Sequence, residues 1–141
     1  MSLLSRKGCL LAVTAVLDVA LQANHKPVPA RALTRRHQLP PRHLEPVMQA
    51  LVRQGVLKSV RGPHGGYQLG RAARQITADD IARAIRNVDD EGESAVVKST
   101  LLTRVVVPML AEAEVAFSTA LARINVEDLM RAAKMMRRSA A

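Results

Sequence analysis

The chain has 141 residues, a net charge of +9, one cysteine and two aromatic side chains, Tyr67 and Phe117. That size suits one domain with an appendage. A single cysteine excludes a disulfide framework, a paired-cysteine zinc site and a cysteine-only cluster within one chain, so no cofactor is expected and a reducing cytoplasm is the natural compartment.

Leu10, Val13, Leu17 and Leu21 recur at helical spacing and predict a first helix from about Ser5 to Gln22. Arg6-Lys7 ahead of this run imitates a targeting segment. Asp18 interrupts the run, which is too short to span a bilayer, so a core helix and no membrane partner are expected. Asn24-His25-Lys26-Pro27 breaks it. Pro29 to His37 reads as a short second helix with Ala32 and Leu33 inward and Arg31, Arg35 and Arg36 outward. Leu39-Pro40-Pro41 forms a turn, proline being tolerated at a helix start. A third helix, Pro41 to Gln54, places Leu44, Val47, Met48, Leu51 and Val52 on one face and ends at Gly55. Pro46 inside it removes the bond to the Arg42 carbonyl, which predicts a slight bend or a tight first turn.

Val56 to Val60 and Tyr67 to Leu69 are strand-forming runs around Gly62-Pro63-His64-Gly65-Gly66. Two helices followed by such a hairpin make a winged helix-turn-helix. Thr77 is a candidate N-cap for a fourth helix, with Asp79 and Asp80 in its first turn and Ile81, Ala84, Ile85 and Val88 inward. Asp89-Asp90-Glu91-Gly92-Glu93 reads as a solvated acidic loop, the alternative being a hard-cation site. A long helical stretch from about Lys98 to Arg123 contains Pro108. Its apolar residues, Leu102, Val105, Val106, Met109, Ala113, Ala116, Phe117, Ala120, Leu121 and Ile124, are spaced for pairing with a second copy or for packing on the chain's own domain. The seam would use Leu102, Val106, Met109, Ala113, Ala116, Phe117 and Ala120. Val126 to Met136 is a last short helix before a frayed Arg137-Arg138 tail. The expected fold is mainly α with a small β-hairpin wing, a winged helix-turn-helix plus a long dimerisation helix. Residues 1–88 would form the DNA-binding domain and residues 89–141 the acidic loop, dimerisation helix and last helix.

Residues 1–88 carry 14 Lys/Arg against 4 Asp/Glu, and residues 89–141 carry 7 against 8. The positive excess therefore sits with the helix-turn-helix pattern, where it attracts polyanions and releases their counterions. In a helix-turn-helix the second helix turns its N-terminal residues toward base edges in the major groove. Here those are Pro40, Arg42, His43 and Glu45. Arg42 can bond guanine bidentately or grip phosphate, and Glu45 can accept from a cytosine amino group or cap the helix start. Arg31, Arg35, Arg36 and Lys58 suit phosphate contacts. Arg61, His64, Gly65 and Gly66 occupy the wing tip, where a wing meets a DNA backbone.

Residues 3–88 resemble the IscR/NsrR/CymR-type (Rrf) family of bacterial winged-helix transcriptional regulators. The resemblance is carried by Ala12-Val13-Thr14-Ala15-Val16-Leu17-Asp18-Val19-Ala20-Leu21, by Leu44-Glu45, by Ser59-Val60-Arg61-Gly62-Pro63-His64-Gly65-Gly66-Tyr67, and by Ile76-Thr77 with Asp80-Ile81. Residues 98–131 resemble the family's dimerisation helix more loosely, ending at Ile124-Asn125-Val126-Glu127-Asp128-Leu129. The resemblance implies that Glu45 reads a base and that Arg61 enters the minor groove, where a narrow groove concentrates negative potential; a phosphate-only contact is the other role open to Arg61. Cluster-binding members carry three cysteines between the fourth helix and the dimer helix, and Asp89 to Arg104 has none. The chain thus looks like the cysteine-free branch lacking the iron–sulfur ligands. Cys9 is either a small core side chain or a redox thiol activated by Arg6 and Lys7.

The implied function is a sequence-specific double-stranded DNA-binding regulator, a repressor acting as a homodimer on a pseudo-palindromic operator, with a small-molecule effector or a partner protein as its signal. The alternative is a winged-helix protein-interaction module without specific DNA binding. Catalysis is not expected: His25, His37, His43 and His64 stand beside no nucleophile with an orienting acid, and no phosphate loop follows a strand. With so few aromatics, base stacking on single strands is also disfavoured.

Overall fold

A computed structural model describes residues 6–38, 41–86 and 100–139. Among these it has six α-helices and one two-stranded antiparallel hairpin. The expected class, mainly helical with a small wing, is the observed one.

Helix α1, Arg6–Ala20, is apolar on most of its circumference, so its sequence leaves the buried face ambiguous. The buried residues are Ala12, Ala15, Val16 and Val19, while Leu10 is 67% exposed. The stripe through Leu10, Val13, Leu17 and Leu21 therefore is not the core face. Alanines let α1 lie close to the helices and the hairpin that surround it. After α1 a tight turn, Ala23–His25, holds Asn24 and His25 at φ of 59° and 53°. Val28 then pairs with the wing.

Helix α2, Ala30–His37, starts after extended Pro29 and stops at Gln38, whose left-handed backbone returns its N–H to the Thr34 carbonyl. Helix α3, Pro41–Arg53, runs on through Pro46. It buries Leu44, Val47, Met48, Ala50 and Leu51. Its end is a Schellman motif: Val56 N–H reaches the Leu51 carbonyl, Gly55 N–H reaches that of Val52, both at 3.0 Å, and Gly55 adopts φ +76°.

Strands β1, Leu57–Val60, and β2, Gly66–Leu69, pair in the register Leu57 with Leu69 and Val60 with Gly66. Val28 extends this wing by an isolated bridge to Tyr67, with two hydrogen bonds of 2.9 Å. A Cβ on Gly66 would lie 2.4 Å from the Val28 carbonyl carbon, so only glycine permits this approach.

Helix α4, Ala78–Ala84, opens with a capping box: Thr77 Oγ1 accepts from Asp80 N–H and Asp80 Oδ2 accepts from Thr77 N–H, each at 3.0 Å. Ile81, Ala84 and Ile85 are buried as expected; Val88 and the acidic loop lie outside the described residues. A π-helical turn, Leu102–Val106, precedes helix α5, Val107–Ala122, and Pro108 occupies the first turn of α5. Helix α6, Val126–Ser139, runs further than expected. Arg137 and Arg138 are exposed but helical, not frayed, because basic residues in a last turn complement the helix dipole.

The core joins Val16, Leu33, Leu44, Met48, Leu51, Leu57, Ile76, Ile81 and Ile85 with Val126 from the C-terminal segment. Helix α5 buries none of its residues in this core. Residues 104–122 make a helix long and apolar enough to cross a membrane, and none of it is buried.

Candidate nucleic-acid interface

The α2–α3 pair and the wing meet around an open groove of about 580 Å³ lined by Ala30, Arg31, Thr34, Arg35, Leu44, Glu45 and Tyr67. Arg31 and Arg35 are exposed because α2 buries only Leu33 on its opposite side. Glu45 projects from the start of α3, one residue beyond buried Leu44. Tyr67 reaches the groove from β2. Burial, and then the charge of Glu45, push its phenol above the ordinary tyrosine pKa, so the hydroxyl stays protonated and can donate.

Lys58 is exposed on β1, and Arg61, Gly62, Pro63 and His64 are exposed at the wing tip. Gly65 and Gly66 are half-buried, and Gly66 is pressed against Val28. Pro40 lies outside the described residues. Arg42 and His43 belong to the first turn of α3, but their side chains lie outside the described residues. Arg36 stands apart from Arg31 and Arg35: its Nη2 is 3.4 Å from Oδ1 of Asp18 on α1.

That aspartate is an element the sequence reading treated only as an interruption. Asp18 is buried and accepts from His37 Nε2 at 2.5 Å and from Gln22 Nε2 at 3.2 Å. It thereby ties the end of α2 to α1. A lone acid in an apolar helix requires such partners when buried, and that requirement was the available signal. Tyr67 and Thr34 were missed as groove residues because their neighbours come from three separated elements.

A second buried carboxylate, Asp79, lies on α4. It accepts from Ser118 Oγ on α5 at 2.5 Å and from Arg83 Nε at 2.7 Å. Burial works against its charged form, but the Ser118 and Arg83 hydrogen bonds and the Arg83 charge outweigh that and hold its pKa below the usual carboxylate value. Ser118 belongs to the side of α5 with partly buried Leu110, Glu114 and Leu121. The expected seam residues Val106, Met109, Ala113, Ala116, Phe117 and Ala120 are exposed. They form a stripe about a third of a turn round the helix from that side. The side chain of Leu102 lies outside the described residues. Cys9 is half-buried beside the core.

A family model described as "Rrf2: Iron-dependent Transcriptional regulator" matches residues 5–132. The IscR transcriptional regulator of Cronobacter sakazakii is 42% identical over 74 residues, which is 52% of this chain and 46% of that protein. The chain thus spans about half the length of the curated relatives it matches. The solved structure of T. potens IscR superposes with a TM-score of 0.68 at 26% identity, covering 89% of this chain and 84% of that one. B. subtilis CymR, the global cysteine regulator, shares the fold at a TM-score of 0.64 and 24% identity, covering 87% of this chain and 92% of that one. These relatives are named as regulators, not as enzymes. A cysteine-ligated iron–sulfur cluster, one form of the iron that the family description names, does not fit the donors of this chain. The chain has one cysteine, on a helix packed into the core, and no group of three His, Cys, Asp or Glu residues is poised for a metal among the described residues. Match length, fold and the relatives' shared role agree: the chain belongs to the Rrf2 family of transcriptional regulators.

Proposed function

We propose that the chain is a sequence-specific double-stranded DNA-binding regulator, a repressor that acts in the cytoplasm as a homodimer on a pseudo-palindromic operator. The observation that carries this reading is the groove, which joins the cations of α2, the start of α3 and the base of the wing. Residues 1–88 would supply the DNA-binding unit and residues 89–141 the pairing helix. Arg31, Arg35 and Lys58 are suited to phosphate, Glu45 to a base edge and Arg61 to the minor groove. The homodimer is supported by the exposed apolar stripe of α5, which lies about a third of a turn from the side engaged through Ser118. The same helix carries Glu112, Glu114 and Thr119, which suits a protein seam better than a lipid one. Because the cluster cysteines are missing, the signal would come from a small molecule or a partner protein.

The test is a fluorescence-anisotropy titration against duplex DNA from upstream of the chain's own gene and a shuffled duplex, at two salt concentrations. A preference for the native duplex that survives the higher salt is expected. Equal binding that vanishes with salt would favour a protein-interaction module instead.

A further inference from the structure

Helix α2 carries two of the groove cations on a short, lightly anchored element. It has eight residues, buries only Leu33, and starts after Pro29 with no side chain capping its first N–H groups. It packs chiefly against α3. Its far end is fixed by Asp18, which reaches from α1 to His37 Nε2 at 2.5 Å and to Arg36 Nη2 at 3.4 Å. Gln22 Nε2 adds a further donor to the same carboxylate at 3.2 Å. Leu33 and His37 stand one turn apart along one side of α2, and Arg31 and Arg35 one turn apart along the side that lines the groove. Two anchors in line fix the roll of a short helix where one leaves it free to turn. The pair that holds Leu33 and His37 in place therefore also aims Arg31 and Arg35. The charge of Asp18 works the other way: an acid in the binding unit repels a polyanion, and a buried ion pair adds little net stability because desolvation opposes its attraction. What this carboxylate supplies is position.

We propose that Asp18 is a positioning residue for phosphate binding: by clamping His37 and Arg36 it sets the roll of α2, and with it the direction in which Arg31 and Arg35 meet the DNA backbone. The proposal rests on the phosphate role given to Arg31 and Arg35 above. It assigns Asp18 a part in DNA affinity without a contact to DNA, and opposite in sign to what its charge alone would give.

Phosphate contacts are independent of sequence, so a random-sequence duplex is a sufficient probe. D18L and H37A are each made in the wild-type protein and in R31A/R35A, and all are titrated by fluorescence anisotropy over a range of salt concentrations. Leucine fills the Asp18 site without a charge, and thermal melting checks the fold of each variant. D18L should bind about three- to thirtyfold more weakly than wild type, with a salt slope shallower by about 1–2 as phosphate contacts are lost. H37A should move both quantities in the same direction. In R31A/R35A neither change should weaken binding further, a result that a general loosening of the fold would not give. Binding by D18L that equals or exceeds wild type, with an equal or steeper slope, would overturn the proposal, since losing one acid and releasing Arg36 has that effect by itself. Equal weakening in both backgrounds would overturn it as well. Should D18L melt far below wild type, H37A decides by the same criteria, because the His37 side chain is 32% exposed and its loss leaves Arg36 and Gln22 on Asp18. If R31A/R35A keeps the wild-type slope, the phosphate role of those arginines falls and takes the Asp18 proposal with it.

Discussion

Asp18, Arg36 and Arg61 show how differently single residues could be read. Arg61 was legible because its place in the Ser59-to-Tyr67 run put it at the tip of a hairpin, and the structure exposes it there. Arg36 was not, since its pattern equals that of Arg35; only the fold brings it to the buried carboxylate of Asp18. That pairing separates Arg36 from the groove cations and gives it a structural contact on α1. Arg61→Ala should weaken binding to the specific duplex by about 1–3 kcal/mol and relax preference at the minor-groove position. Anisotropy on specific and random duplexes checks this, and an equal loss on both would demote Arg61 to a phosphate contact.

Elements with local stop and start signals were read closely. Gly55 ended α3 because a Schellman turn requires a positive φ, and Thr77 opened α4 because its hydroxyl caps the Asp80 N–H. Both interactions lie within a few residues of chain. Helix α1 was less legible: apolar on most sides, it gave no unique stripe, and packing chose the alanine face. Helix α5 poses the converse case, an apolar stripe with no cover in the single chain. Replacing Met109 and Phe117 together by glutamate should convert the proposed dimer to a monomer, seen by sedimentation. Circular dichroism should be unchanged, because neither side chain is buried in the core. Binding to a two-half-site duplex should fall about tenfold or more as the linked second half-site is lost.

At the scale of the whole molecule, the C-terminal segment is tied back onto the winged unit. Ala78 N–H donates to the Ile124 carbonyl at 2.7 Å and Val126 N–H to that of Ile76 at 2.8 Å, while Val126 completes the core. The Asp79–Ser118 bond joins α4 to α5 beside this junction. Because the folded Asp79 carboxyl titrates below its ordinary value, its ionised form stabilises the fold above the unfolded carboxylate pKa of about 4. That contribution is lost as pH falls through the lower folded value. Asp79→Asn should cost about 1–3 kcal/mol near neutral pH. The gap from wild type should narrow in acid, as measured by denaturant unfolding across pH.

What the sequence determined by itself was everything encoded over short separations: helix periods, caps, the hairpin with its glycine tip, and the concentration of positive charge in residues 1–88. Only the tertiary structure decided which face of α1 is buried, which arginines are free for a polyanion, and which partners the carboxylates of Asp18 and Asp79 take. Those outcomes depend on side chains brought together from distant elements by the burial of a shared apolar core, and local propensity carries no record of such meetings.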